Sequence, residues 1–492
     1  MTKLSLVSVR GLRAEVSTPR YSRTSLTPGI VHFGVGNFHR AHLAVYLDDL
    51  FNMGLNHDWA IIGAGVFLPN DEMMRQKLVA QDYLTTIVEQ DAHKSSARVI
   101  GSMVDFIPPA DRPRLLKTLV DPAIRIVSLT VTEGGYMVDP ATGKFDSNHP
   151  ALQRDAKNPD DPTSVFGLIL AGLKARKAKG LVPYTVMSCD NLPHNGVVTR
   201  NAVAGLARLM DASLADWIET HVAFPNAMVD RITPATSDRE RKLANDMFGI
   251  EDNWPVFCEE FIQWVVEDKF TAGRPAFEKV GAQFVDDVTP YEYMKIRILN
   301  GGHAVIAYAG CLLDVHFVHD AMQHPVVKGF IDKVENDEII PTVLPVPNTN
   351  IQDYYKLIVR RFSNPKIGDT ERRLAFDGSN RQPKFIVPVI ADNLAAGRTV
   401  SGLALESALW CRYCAGTTDS GKVIEPNDPI WPRLNQLAMD AKSDPLKWLG
   451  MEDIYGDTGK SEIFRLAFSC WLNRLWADGV ENTLKAYVAG EA

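Results

Sequence analysis

The sequence predicts an α/β protein in two parts, an open parallel sheet over residues 1–285 followed by a mostly helical unit over 286–492. Three observations carry this. Up to Asn191, short apolar runs alternate with amphipathic stretches, the order that parallel strands with right-handed crossovers require. From Thr289 onward, long helical patterns replace strand-like runs. The 492 residues exceed what one ordinary core accommodates, so two domains are expected.

Ile30 to Gly34 is a short apolar run ending on glycine, and His39 to Met53 follows with helical spacing. Asp58 to Val66 is a second buried strand. Ile124 to Thr132 is rich in β-branched residues and stops at Glu133-Gly134-Gly135. Thr163 to Lys179 is helical, and Pro183 to Asn191 again runs from apolar to polar. Ligands of open parallel sheets sit beyond the carboxyl ends of the strands, so Gly34, Glu133 and Asn191 are expected along one crevice. The later helical patterns are Tyr291 to Cys311, Pro325 to Asn336, Tyr354 to Phe362, Lys384 to Ala396 and Leu403 to Cys414. Ile340 to Asn350 reads as a proline-rich loop between them.

Sixty acidic against 52 basic residues leave a net charge of −8 and no basic face, which argues against nucleic acid as a partner. No apolar run approaches the roughly 20 residues that span a bilayer, and the start MTKLSLVSVRGLRAEV lacks a signal-peptide core. The expected location is cytoplasmic, without membrane attachment. Of six cysteines only Cys411 and Cys414 form a C-x-x-C pair, inside an apolar helical segment, where packing is the expected role and zinc is not.

VHFGVGNFHRAH, from Val31 to His42, has the strand and the Gly34-x-Gly36 of a dinucleotide turn, but His39 where a third glycine is usual. Gly34, Gly36, Phe38 and His39 are candidate cofactor contacts, with Arg40 as a cation within reach of phosphate. After Gly65, Asp71 and Glu72 precede Arg75. Acids closer to the strand than any base repel a 2′-phosphate, so Asp71 is the expected ribose acceptor and NAD the expected cofactor, with NADP as the alternative. Glu133 completes the cofactor set.

In YEYMKIRILNGGH, taking Lys295 as zero and about 100° per residue, Glu292 lies at about 60°, His303 at about 80° and Asn300 at about 140°. All four face one half of a helix. Gly301 and Gly302 each cost about 1 kcal/mol against alanine in a helix, which calls for close approach by a cofactor or a neighbouring helix. Tyr291-x-x-x-Lys295 matches the tyrosine-lysine pair of short-chain dehydrogenases, but its position and the glycine pattern argue against that reading. No cluster has zinc-ligand spacing, so no metal is expected.

GVGNFHRAH (34–42), TEGGY (132–136), SCDN (188–191), FPNAMVDRI (224–232) and KIRILNGGH (295–303) occur in order at compatible spacing. With them the chain resembles the polyol-specific long-chain dehydrogenases over nearly its whole length, and the missing third glycine is a trait of that family. The resemblance implies a Rossmann-type nucleotide domain, a helical substrate domain and an active site in the interdomain cleft. It also implies metal-independent hydride transfer between a hexitol such as D-mannitol, with its 2-ketose, and NAD. In that scheme Lys295 is the general base, Asn191 and Asn300 hold the reacting oxygen, and His303 orients the substrate. Asp230, Arg373 and Arg381 contact hydroxyls, with Lys384 a further candidate; position 381 carries arginine where many members have lysine.

A lysine base must shed its proton near working pH, which burial and cationic neighbours favour. Glu292 is our candidate for the proton's route to solvent. The competing readings are a hexuronate reductase (fructuronate or tagaturonate) using Arg373, Arg381 and Lys384 on a carboxylate, a sorbitol or arabinitol dehydrogenase, and a non-catalytic nucleotide sensor. The expected assembly is a monomer or loose homodimer.

Overall fold

A computed structural model describes residues 2–138 and 145–491, with the side chain of Glu133 also outside the described set. The chain divides into two compact units, Met1–Thr289 and Pro290–Ala492.

The first unit is built on five parallel strands, β1 (Pro28–Phe33), β2 (Ala60–Ala64), β3 (Met103–Ile107), β4 (Ile126–Leu129) and β5 (Thr185–Ser188), in the spatial order β3-β2-β1-β4-β5. The order reverses between β1 and β4, the switch point at which such sheets bind nucleotides. Both faces are covered, by one core around Ile30, Leu47 and Ile61 and another around Val31, Phe33 and Val127, which explains why β1, β2, β4 and β5 read as continuous apolar runs; the edge strand β3, interrupted by Asp105, was not found in the sequence. Beyond it, β6 (Ala227–Asp230) pairs antiparallel with Gln263–Glu267. A further sheet contains the hairpin Thr85–Gln90/Ser95–Ile100, which the sequence reading did not find.

The stretch read as one helix from His39 to Met53 is two, Asn37–Ala41 and Leu43–Asn52. The break falls at His42, whose Nε2 lies 3.0 Å from the Gln263 carbonyl and whose ring stacks on Phe38. A tertiary contact overrides the local period there.

Among the described residues of the second unit no extended strand occurs, only isolated bridges such as Phe317–Thr370. Its central helix, Ser401–Cys414, is buried along nearly its whole length, and Cys411 and Cys414 are packed within it. The buried Glu338 caps that helix, its two oxygens accepting from Gly402 N at 2.6 Å and Leu403 N at 2.9 Å. The segment expected as a single α-helix from Tyr291 to Cys311 changes winding twice: Thr289–Met294 is α, Lys295–Gly301 is π, and Gly302–Leu312 is α again.

Candidate active site

In the first unit the turn after β1 is a tight cradle. Gly34 has φ +89°, and a Cβ there would meet Thr130 O at 2.0 Å, so only glycine fits. A Cβ at Gly36 would meet nothing closer than Gly34 O at 3.9 Å, which leaves the backbone open to a ligand. The Thr130 hydroxyl donates to Gly34 O at 2.6 Å and lies 2.9 Å from His32 Nε2; His32 Nδ1 lies 2.8 Å from Ser128 Oγ. His39 does not relax the helix–strand contact, as a bulky third position suggests. It fills it: the His32 and His39 rings stack with centroids 3.4 Å apart. Burial holds both histidines far below the usual range, His32 at about 3.

Arg40 departs from the sequence expectation. It is fully buried, and donates to Gly36 O, Trp254 O and Asn37 Oδ1. Its guanidinium therefore braces the turn from within and does not face a phosphate. Burial alone is enough to lower it, to about 10. Phe38 is half-buried against His42. Asp71 is half-buried, and its Oδ2 accepts from Val66 N at 2.7 Å and Phe67 N at 2.8 Å, closing the turn after β2. Glu72 is forked by Arg75 at 2.7 and 2.8 Å. Glu133 opens a short 3-10 turn beyond β4; its side chain is outside the described residues. Asn191 is exposed just past β5, and Asp230, 5 % exposed, ends β6.

In the second unit the π winding rearranges the expected wheel. Hydrogen bonds of i→i+5 type bring residues five apart about one turn above each other, so Lys295 and Asn300 share a face that an α-helix would split by about 140°. His303 follows three residues later on the α segment, extending the same row. Lys295 and Glu292 are buried. Asn300 Oδ1 and His303 Nε2 are buried atoms with no hydrogen-bond partner among the described residues. The His303 ring lies flat on Phe362, centroids 4.2 Å apart at 15°. Burial, then Arg373, Arg381, Arg361 and Lys295, hold His303 well below the usual histidine range. A neutral imidazole among cations can donate to or accept from a hydroxyl.

Arg373 is exposed and fixed by Asp369, its Nε and Nη2 each 2.5 Å from one carboxylate oxygen. Arg381 is half-buried and donates to Leu374 O at 2.8 Å; Lys384 is exposed on the same helix, Gly378–Phe385. That helix is anchored by Ser379 on Asp428 and by Gln382 on Glu406, the latter at 2.6 Å. Sequence reasoning missed Phe362, Asp369 and Glu406, which hold the His303 ring, Arg373 and the helix Gly378–Phe385 respectively from positions that form no motif with them. Among the described residues, no group of three or more His, Cys, Asp and Glu side chains could hold a metal.

Two family models match the chain, the mannitol dehydrogenase Rossmann domain over residues 28–279 and the mannitol dehydrogenase C-terminal domain over 287–476. A mannitol 2-dehydrogenase of Cereibacter sphaeroides is 59% identical over 475 residues, covering 96% of this chain and 99% of that protein. The structure of Pseudomonas fluorescens mannitol 2-dehydrogenase in a ternary complex with NAD and D-mannitol superposes with a TM-score of 0.92 at 44% identity, covering 99% of both chains. A D-sorbitol dehydrogenase in substrate-free form gives 0.88 at 36% identity, covering 98% of this chain and 100% of that one.

Proposed function

The chain belongs to the mannitol dehydrogenase family, and from that premise we propose that it is an NAD-dependent mannitol 2-dehydrogenase, oxidising D-mannitol to D-fructose and catalysing the reverse reduction. The observation that carries the reading is the row Lys295, Asn300 and His303, whose buried Asn300 Oδ1 and His303 Nε2 lack partners among the described residues. Hydroxyl groups, each both donor and acceptor, suit such atoms. The open backbone at Gly36 suits a pyrophosphate.

NAD held at the turn of Gly34 and Gly36 would supply the acceptor for the hydride of the carbinol carbon. The protein's own groups do the rest. Lys295 takes the hydroxyl proton. Asn191 and Asn300 donate amide N–H bonds to the alkoxide as charge develops on it. Neutral His303, held by Phe362, orients a neighbouring hydroxyl, and Asp230, Arg373, Arg381 and Lys384 read the rest of the polyol. Glu292, within one turn of Lys295 and 4 % exposed, hands the proton on towards solvent. No step needs a metal. We read it as a cytoplasmic enzyme working as a monomer or loose dimer.

The test is the near-ultraviolet absorbance of NADH or NADPH formed by chelator-treated protein given NAD or NADP, respectively, with mannitol, sorbitol or arabinitol. Rapid NAD reduction by mannitol is expected; turnover of none of the three sinks the reading. Glu292→Ala should alter the pH dependence of kcat, and an unchanged profile removes Glu292 from the proton path.

A further inference from the structure

The ends of β4, β5 and β6 each deliver one residue of the proposed site: Glu133, Asn191 and Asp230. Two buried side chains tie the ends of β4 and β5 to each other and to the start of β6. Asp190, beside Asn191 and 9 % exposed, accepts at Oδ2 from Val131 N (2.8 Å) and from the Tyr136 hydroxyl (2.7 Å), and at Oδ1 from Thr132 N (3.1 Å). Tyr136 Oη also lies 2.5 Å from Ser188 Oγ, the last residue of β5. From the other side Asn195, fully buried, donates through Nδ2 to Asp190 O (3.0 Å) and Ala227 O (2.7 Å). Its Oδ1 accepts from Ala227 N at 2.9 Å. A continuous set of bonds thus runs from the turn after β4, through the residue next to Asn191, to the first residue of β6.

The turn that this clasp holds is strained. Thr132 has φ +66° and ψ 164°, a combination essentially reserved for glycine and costly for a β-branched residue. Its N–H is held by Asp190, and its carbonyl accepts from Gly135 N at 2.9 Å. Three donors converge on two carboxylate oxygens. An amide of the same shape offers one acceptor oxygen and turns an NH2 group against the backbone donors.

We propose that Asp190 is a positioning residue of the reaction: by clasping the turn 131–136 to the end of β5, it fixes the amide of Asn191 and keeps Thr132 in its strained conformation. Asp190 touches neither alcohol nor cofactor in this scheme. The proposal rests on the reading of Asn191 as a donor to the reacting oxygen.

The experiment compares Asp190→Asn, Tyr136→Phe and the double variant Asp190→Asn/Thr132→Gly with the parent protein. The readouts are kcat per titrated site, KM for D-mannitol, and NADH affinity from NADH fluorescence. Misplacing a reacting group by about 1 Å costs on the order of 10²-fold, so Asp190→Asn should lower kcat by about that factor, with a smaller change in KM and weaker NADH binding. Tyr136→Phe, which removes one of three donors, should do the same to a lesser degree. Thr132→Gly should restore part of what Asp190→Asn loses, because glycine adopts the turn without strain.

An Asp190→Asn protein with the parent's kcat per site and NADH affinity overturns the proposal, as does a double variant no better than the single. If Asp190→Asn does not fold, Tyr136→Phe decides alone, and parental kcat and NADH affinity overturn it. A parent protein that oxidises no polyol defeats the functional reading instead, while NADH affinity across the variants still tests the clasp.

Discussion

Gly301 and Gly302 are adjacent, and the sequence gives no way to rank them. A Cβ at Gly302 would meet the fully buried Glu335 Oε1 at 2.8 Å, whereas one at Gly301 would meet nothing closer than Ile339 Cδ1 at 3.6 Å. Alanine gains about 1 kcal/mol over glycine in a helix interior, and overpacking a core costs about 1–3 kcal/mol. Gly302→Ala should therefore range from neutral to about 2 kcal/mol destabilising, while Gly301→Ala gains stability; denaturant midpoints of the two variants check the difference in sign. The neighbouring helix, not a cofactor, thus explains one glycine of the pair. At Lys295 the expectation is chemical: Lys295→Ala should lower kcat by about 10²- to 10⁴-fold, the usual contribution of a general base, and leave NADH fluorescence titrations unchanged. Phe362→Leu should raise KM for mannitol more than it lowers kcat, because it releases the His303 ring without removing it.

Among the elements, the π segment Lys295–Gly301 was legible as a helix but not as a π-helix. Its apolar residues satisfy either winding, and the segment packs against distant parts of the chain, the second π segment Glu335–Ile339 and the helices Ile351–Phe362 and Gly378–Phe385, which local periodicity does not show. The helix Gly378–Phe385, which presents Arg381 and Lys384, owes its seat to Glu406 on the central helix. Burial raises the Glu406 carboxyl to about 8. It is protonated in the folded protein and ionised in the unfolded chain between about pH 4.5 and that value, so it stabilises the fold at low pH and this contribution is lost as pH rises through the window. Glu406→Gln, neutral at every pH, should flatten the fall of Tm measured from about pH 5 to about pH 9; an equally steep fall removes Glu406 as its source.

At the scale of the whole molecule the two units differ in the balance of their buried neutral groups, histidines outweighing the raised carboxyl of Asp48 in the first and carboxyls outweighing His303 in the second. The first holds His32, His39 and His42 neutral, with His32 near 3 and His42 near 4, by burial around the nucleotide turn. Their protons bind the unfolded chain first, so stability there falls as pH drops below about 6.5. The second holds four carboxyls, Glu335, Glu338, Glu371 and Glu406, above the usual carboxylate range, again by burial, against His303 held below its own range, so on balance its stability falls as pH rises. Calorimetry should show the transition of the first unit moving down on acidification and that of the second moving down on alkalinisation. Both moving together in the same direction would refute this division.

What the sequence by itself determined is the part written in local order: four of the five parallel strands as apolar runs, the glycines of the nucleotide turn, the spacing of Lys295, Asn300 and His303, and the resemblance that joins them; the edge strand Met103–Ile107, interrupted by Asp105, was not among them. Each depends on residues near one another in the chain. Tertiary structure alone decided that Arg40 is a brace, that His39 packs on His32, that Glu335 faces Gly302, and that Asp190 clasps a turn 58 and 59 residues away. Burial and hydrogen-bond partnership are set by the chain's distant segments, and a side chain's chemistry changes with them: the same carboxyl is an exposed charge in one environment and a neutral acid or a three-donor anchor in another.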